Sequence, residues 1–235
     1  MPKNKLQRFA ELRTFTNTHE FLWTERETDF KLKGKWNSGY FKNENPIVLE
    51  LGCGKGEYSI GLAEKYPNKN FIGLDIKGAR IWRGSKTAQE KNLHNVSFLR
   101  TQIEFIESCF AKDEVSEIWI TFPDPQPNKE KKRLTHPVFL SRYKNILLPN
   151  GIVHLKTDSA ELYEFTLEVL SASPAVTQGK REKPYTVLFS TNDLYNESNS
   201  LSLGKGLGEA ASLKTHYEKL FTAKGKKITY LKFRL

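Results

Sequence analysis

A buried strand running straight into three closely spaced glycines leaves a chain few ways to fold. Here the stretch is Ile47-Val48-Leu49-Glu50-Leu51-Gly52-Cys53-Gly54-Lys55-Gly56. Its continuous apolar character suits a parallel strand covered on both faces. Beyond the last glycine the chain reads as the first turn of a helix, and the glycines let the backbone turn sharply and approach a ligand closely. In a doubly wound α/β sheet, that strand end is where ligands bind.

Two nucleotide-type ligands compete for such a turn. A dinucleotide fingerprint needs a glycine at position 57, where the chain has Glu57. A pyrophosphate would also be repelled by Glu50 at the mouth. S-adenosylmethionine carries a sulfonium and an ammonium and no phosphate, so carboxylates suit it. A tight turn that binds nothing is the other reading of the same spacing.

The 235 residues can bury one substantial α/β core, with little left for a second domain. A formal net charge of +10 points to a polyanionic partner, with solvated surface lysines as the alternative. Cys53 and Cys109 lie far apart and the histidines are scattered, so neither a disulfide framework nor a metal is expected. The first residues, Met1-Pro2-Lys3-Asn4-Lys5-Leu6-Gln7-Arg8, lack the apolar core of a signal peptide, and no apolar run is long enough to span a bilayer. The expectation is a cytoplasmic protein without a membrane partner, as a monomer or a homodimer.

Residues 1–45 mix basic side chains with aromatics, carry no strong period, and read as an extension lying over the core. From Pro46 onward the pattern alternates strand and helix. Strands are predicted over 47–51, 70–75, 96–99, 117–121 and 152–156, and helices over 56–66, 78–92, 103–110, 137–147 and 160–170. Pro149-Asn150-Gly151 reads as a turn ahead of the fifth strand. The runs 185–189 and 228–233 read as an antiparallel pair at the sheet edge, 192–212 as a mobile loop, and 214–221 as a short helix.

Polar residues collect at the strand ends. Asp75 closes the second strand about 20 positions beyond the glycines, the separation of a ribose-binding acid. Adjacent strand ends put Glu50 and Asp75 on one rim. Gln102 comes after the third strand and can both donate and accept, as pairing with an adenine requires; a surface glutamine is the alternative. After the fourth strand comes Phe122-Pro123-Asp124-Pro125, an acid between two prolines on a backbone with little freedom. An acid that only shapes a turn is the other reading. Lys129, Lys131, Lys132 and Arg133 come close behind it and read as a phosphate-gripping loop.

In this order the motifs resemble those of the bacterial tRNA (guanine-N7)-methyltransferases, from about residue 37 to the carboxy terminus. The resemblance rests on Leu49 to Gly56, Asp75, Phe122-Pro123-Asp124-Pro125, Lys156-Thr157-Asp158, and Thr215-His216-Tyr217-Glu218 ahead of Lys226. It implies a Rossmann-like class I methyltransferase fold over 46–235: a doubly wound, mostly parallel sheet with an antiparallel edge strand, behind the 1–45 extension. It also implies methyl transfer from S-adenosylmethionine to N7 of the guanine at position 46 in the tRNA variable loop. By motif, Glu50, Gly52, Gly54, Gly56, Asp75, Gln102 and Asp124 fall on cofactor-binding positions, and Asp124 on the catalytic one as well. Asn128, Lys129, Asp158, Thr215, His216, Tyr217 and Glu218 fall on substrate-contacting positions. A lysine is usual four residues after the acid; Asn128 stands there with Lys129 next, and a one-residue shift of the loop restores the contact. A class I methyltransferase with another RNA, a protein or a small molecule as target stays open, as does an RNA-binding module with a vestigial glycine turn.

Overall fold

The computed structural model describes residues 3–172, 185–196, 210–211 and 213–235, with backbone alone at 3–5, 216 and 217. Helix α1 (Lys3–Leu12) and a short strand β1 (Thr18–Glu20) come first. The alternating part holds β2 (Ile47–Leu51), α2 (Glu57–Lys65), β3 (Asn70–Asp75), α3 (Gly78–Glu90) and β4 (Val96–Arg100). It continues with α4 (Ile106–Cys109), β5 (Val115–Thr121), α5 (Pro137–Ile146), β6 (Leu147–Thr157) and α6 (Ala160–Ser171). β7 (Thr186–Thr191), α7 (His216–Ala223) and β8 (Thr229–Arg234) complete it.

The strands form one sheet in the order β1-β4-β3-β2-β5-β6-β8-β7. Neighbours are parallel from β1 to β6, and β8 runs antiparallel to both β6 and β7. This is the doubly wound, mostly parallel architecture with an antiparallel edge that the sequence predicts. From β2 the chain steps outward to β3 and β4, then returns to β5 on the other side. The switch point therefore lies between β2 and β5, where crevices open at strand ends. Side chains alternate across β2: Ile47, Leu49 and Leu51 join the core under α5 and α6, while Val48 joins the core under α2 and α3. Glu50 shares the Val48 side, which aims it at α2.

Two stretches differ from expectation. The residues ahead of β2 are woven into the sheet: Thr18 pairs with Phe98 and Glu20 with Arg100, at the edge of the parallel part. Phe21, Phe30, Trp36 and Phe41 are buried core residues. The Trp36 indole donates to the Cys109 carbonyl at 3.0 Å and stacks on Phe110. A strand of three residues shows too little alternation to be visible as a pattern. The second difference is that β6 begins at Leu147, so Pro149-Asn150-Gly151 lies inside the strand. The register to β5 shifts there and Asn150 takes a φ of 64°, so turn chemistry produces a bulge instead of a chain reversal. Of the expected 192–212 loop, 197–209 and 212 lie outside the described residues.

Candidate active site

β2 delivers Glu50 to the switch point and the chain then turns on Gly52 and Gly54, with φ of 71° and 57°. A Cβ at either would meet nothing within 4 Å, so these two leave the cleft floor bare. Gly56 differs: a Cβ there would stand 2.3 Å from the Phe98 ring, so its role is to let α2 pack on β4.

The Glu50 carboxylate is buried. One oxygen accepts from the Ser59 N–H at 2.9 Å and the Ser59 hydroxyl at 2.5 Å, and the other accepts from the Thr121 hydroxyl at 2.7 Å. Burial, with a smaller push from nearby Asp75, raises its pKa to about 7 against the pull of those hydrogen bonds. Asp75 accepts from the Gly54 N–H at 2.9 Å and the Lys77 N–H at 2.8 Å, which ties the glycine turn to the end of β3. Two cavities meet at Gly52. The smaller, about 90 Å³, is lined by Glu50, Gly54, Arg80, Thr121, Phe122 and Thr215 among others. The larger, about 400 Å³, is lined by Asp75, Gln102, Gln126, Lys132 and Phe139 among others.

Above this cleft runs the loop after β5. Phe122 and Gln126 both sit at a φ of 48°, in the left-handed region that non-glycine residues rarely adopt. Each such residue costs roughly 1–3 kcal/mol and persists only where the surroundings enforce it. The enforcing contacts are visible. The Phe122 N–H donates to the Lys156 carbonyl at 2.8 Å, and Arg133 donates through Nε to the Pro125 carbonyl at 3.2 Å. Arg133 is itself buried, paired with Glu161, with its guanidinium over the Phe165 ring. Asp124 is exposed, and its carboxylate accepts from the Gln126 N–H at 3.1 Å, reaching past Pro125 to the next available donor. It lines neither cavity, but the two ends of its loop do: Phe122 lines one and Gln126 the other.

The expected substrate side divides. Asn128, Lys129, Lys131 and Lys132 are exposed, whereas Arg133 turns inward and leaves the phosphate-gripping cluster. Asp158 accepts from Lys226 at 2.7 Å, and Lys227 lies 3.7 Å from Asp193, so both of these lysines are already matched with acids. Thr215 lines the smaller cavity and caps α7, its hydroxyl accepting from the Glu218 N–H at 3.2 Å. Glu218 does not face the cleft. It is fully buried, pairs with the fully buried Lys156 at 2.8 Å, and accepts from the Tyr195 hydroxyl. Lys156 also donates to the carbonyls of Ala211 and Leu213 at 2.7 and 3.1 Å. Burial lowers the Lys156 pKa and Glu218 opposes that. Glu218 therefore anchors Thr215 from within. His216 and Tyr217 open α7, and their side chains lie outside the described residues.

Ser59 and Thr121 hold the site although nothing in the sequence marks them, and Arg133 and Lys156 hold it from inside the core. Of the four, only Lys156 carries a signal of that role: a lysine inside an apolar parallel strand demands a buried partner. Among the described residues no group of three or more His, Cys, Asp or Glu side chains gathers as a metal site, and no helix is long and apolar enough to cross a membrane.

Residues 44–231 match the family model described as "Putative methyltransferase". The tRNA (guanine-N(7)-)-methyltransferase of Christiangramia forsetii is 50% identical, over 99% of this chain and 98% of the relative. The enzyme of the same name from Bacteroides fragilis is 43% identical, over 100% of this chain and 87% of the relative. Among solved structures, a 16S rRNA methyltransferase superposes with a TM-score of 0.56 at 15% identity, covering 86% of this chain and 91% of the other. A SAM-dependent methyltransferase from Aquifex aeolicus gives 0.50 at 14% identity, over 82% and 84%. Those two likenesses are of fold; the sequence matches, running nearly end to end, make this chain a member of the tRNA (guanine-N(7)-)-methyltransferase family.

Proposed function

We propose that the chain transfers a methyl group from S-adenosylmethionine to N7 of a guanine in tRNA, the guanine at position 46 of the variable loop, in the cytoplasm. The observation that carries this reading is the two-lobed cleft at the switch point, floored by bare glycines, walled by Glu50 and Asp75, and overhung by the strained Asp124 loop. The end-to-end similarity to enzymes of that name supports it.

The residues present fit the methyl donor. The glycine floor leaves room for its body, and among the described residues no cation forms an ion pair with buried Glu50, a place an ammonium would fill. Asp75 and Gln102, in the larger cavity, would hold the ribose hydroxyls and the adenine. When bound, S-adenosylmethionine supplies an electrophilic methyl on a sulfonium.

Guanine N7 has an in-plane lone pair, so no proton need leave before attack. The protein's task is alignment, which can supply ~7–11 kcal/mol. In this reading Asp124 accepts from the N–H groups of the base and offsets the positive charge that develops on the purine. Thr215 and Asp158 flank the entering nucleotide, and Asn128 and Lys129 meet the RNA beside it. N7 lies in the deep, narrow groove of A-form RNA, so the target must sit in a loop or be splayed out.

The test is incubation with unmodified tRNA and methyl-labelled donor, then nuclease digestion and mass spectrometry. Label on N7 of one variable-loop guanine is expected. Label elsewhere in the RNA, or on protein, would replace this reading with a different methyl acceptor.

A further inference from the structure

The amino-acid end of a methyl donor presents a carboxylate beside its ammonium, and the smaller cavity is lined by two cations, Lys55 and Arg80, that form no ion pair among the described residues; only Arg80 has a planar fork to offer a carboxylate. Arg80 lies in the first turn of α3 and lines that cavity with Glu50, Gly54, Lys55 and Thr215. Its side chain is exposed, and among the described residues its guanidinium forms no ion pair or hydrogen bond. Its neighbours on the same helix are committed: Arg83 to Glu90 and Lys86 to Glu11. The placement is enforced by packing. One turn further along, a Cβ on Gly84 would stand 2.8 Å from the Lys55 carbonyl oxygen, so α3 is pressed against the glycine turn. That packing keeps the first turn of α3, with Arg80, beside the cavity that Gly54 and Lys55 also line.

We propose that Arg80 binds the α-carboxylate of the methyl donor, a role that rests on the proposed function and its donor, S-adenosylmethionine. The cavity then matches a zwitterion with both signs: Glu50 in its wall for the ammonium, exposed Arg80 for the carboxylate. A guanidinium suits this because its planar fork can give a carboxylate two parallel hydrogen bonds. The competing role for an exposed arginine lining a cleft is an RNA phosphate contact, and the experiment separates the two.

Wild type, Arg80→Gln and Arg80→Lys are titrated calorimetrically with S-adenosylhomocysteine and with its decarboxylated counterpart, which keeps the nucleoside and the ammonium. For Arg80→Gln the expected result is a roughly tenfold to thirtyfold loss for S-adenosylhomocysteine with less than about twofold for the decarboxylated ligand. Arg80→Lys should recover part of the loss. An equal loss for both ligands overturns the proposal, as does an unchanged S-adenosylhomocysteine affinity accompanied by a raised KM for tRNA. If wild type binds neither ligand, the donor reading itself has failed; if wild type binds both and the variant does not distinguish them, only the Arg80 assignment has failed.

Discussion

Burial and charge meet most sharply at Glu50. Its carboxyl is pushed up to about 7 from an ordinary value near 4.5. Between those values the native chain holds a proton that the unfolded chain has lost, so this residue's contribution to stability falls as pH rises through that window. A bound cation favours the ionised form, so ligand uptake near pH 6 should release a proton. Calorimetry of S-adenosylhomocysteine binding in buffers of different ionisation enthalpy measures it; zero release at pH 6 would refute the link. Glu50→Gln should leave the Tm at pH 8 no lower than wild type while weakening that ligand about tenfold or more. Asp124→Asn keeps the loop's shape but not its charge, and kcat should fall about a hundredfold, beyond any change in donor affinity, in single-turnover assays. Glu50 was legible because an acid ending an apolar strand is conspicuous. Ser59 and Thr121 were not, since a serine on a helix and a threonine closing a strand mean nothing until packing brings them to one carboxylate.

At the level of elements, β6 and α7 are joined through the Lys156–Glu218 pair, with both side chains fully buried. Removing one charge leaves the other uncompensated, which typically costs about 3–5 kcal/mol, whereas replacing both with apolar groups of similar volume is often neutral. Glu218→Gln should therefore shift the urea midpoint strongly downward, and Lys156→Met combined with Glu218→Leu should recover only part of the loss, because the Ala211 and Leu213 carbonyls and the Tyr195 hydroxyl lose their partners. If the single and double variants melt alike, the pair is not what joins these elements. The strands and helices from β2 to α6 were legible because apolar runs and helix periods alternate there without interruption. β1 was hidden by its length, and the β6 bulge by residues whose chemistry serves a turn equally well. Pairing of β8 with β7 was legible as an edge hairpin, but not the tie from β6 to α7, because a lysine's partner so far along the chain leaves no local trace.

Across the whole molecule cations outnumber acids by ten, and several of the cations are matched by acids of the same chain. Arg133, Lys226 and Lys227 face acids of the same chain, which leaves the exposed Lys129, Lys131 and Lys132 beside the cleft to meet phosphates. tRNA affinity should fall steeply with salt, and replacing those three lysines with alanine should flatten the log–log slope by about 2–3. A slope unchanged in a filter-binding series would place the RNA elsewhere. The sheet's edge carries a consequence for synthesis. Thr18 emerges from the ribosome well before Phe98, the residue it must lie beside. The amino-terminal strand thus waits for a berth that does not exist until β4 has been made. A chain started after Phe21 would retain its cleft residues but display β4 with a bare row of amides and carbonyls, an invitation to another copy to dock there.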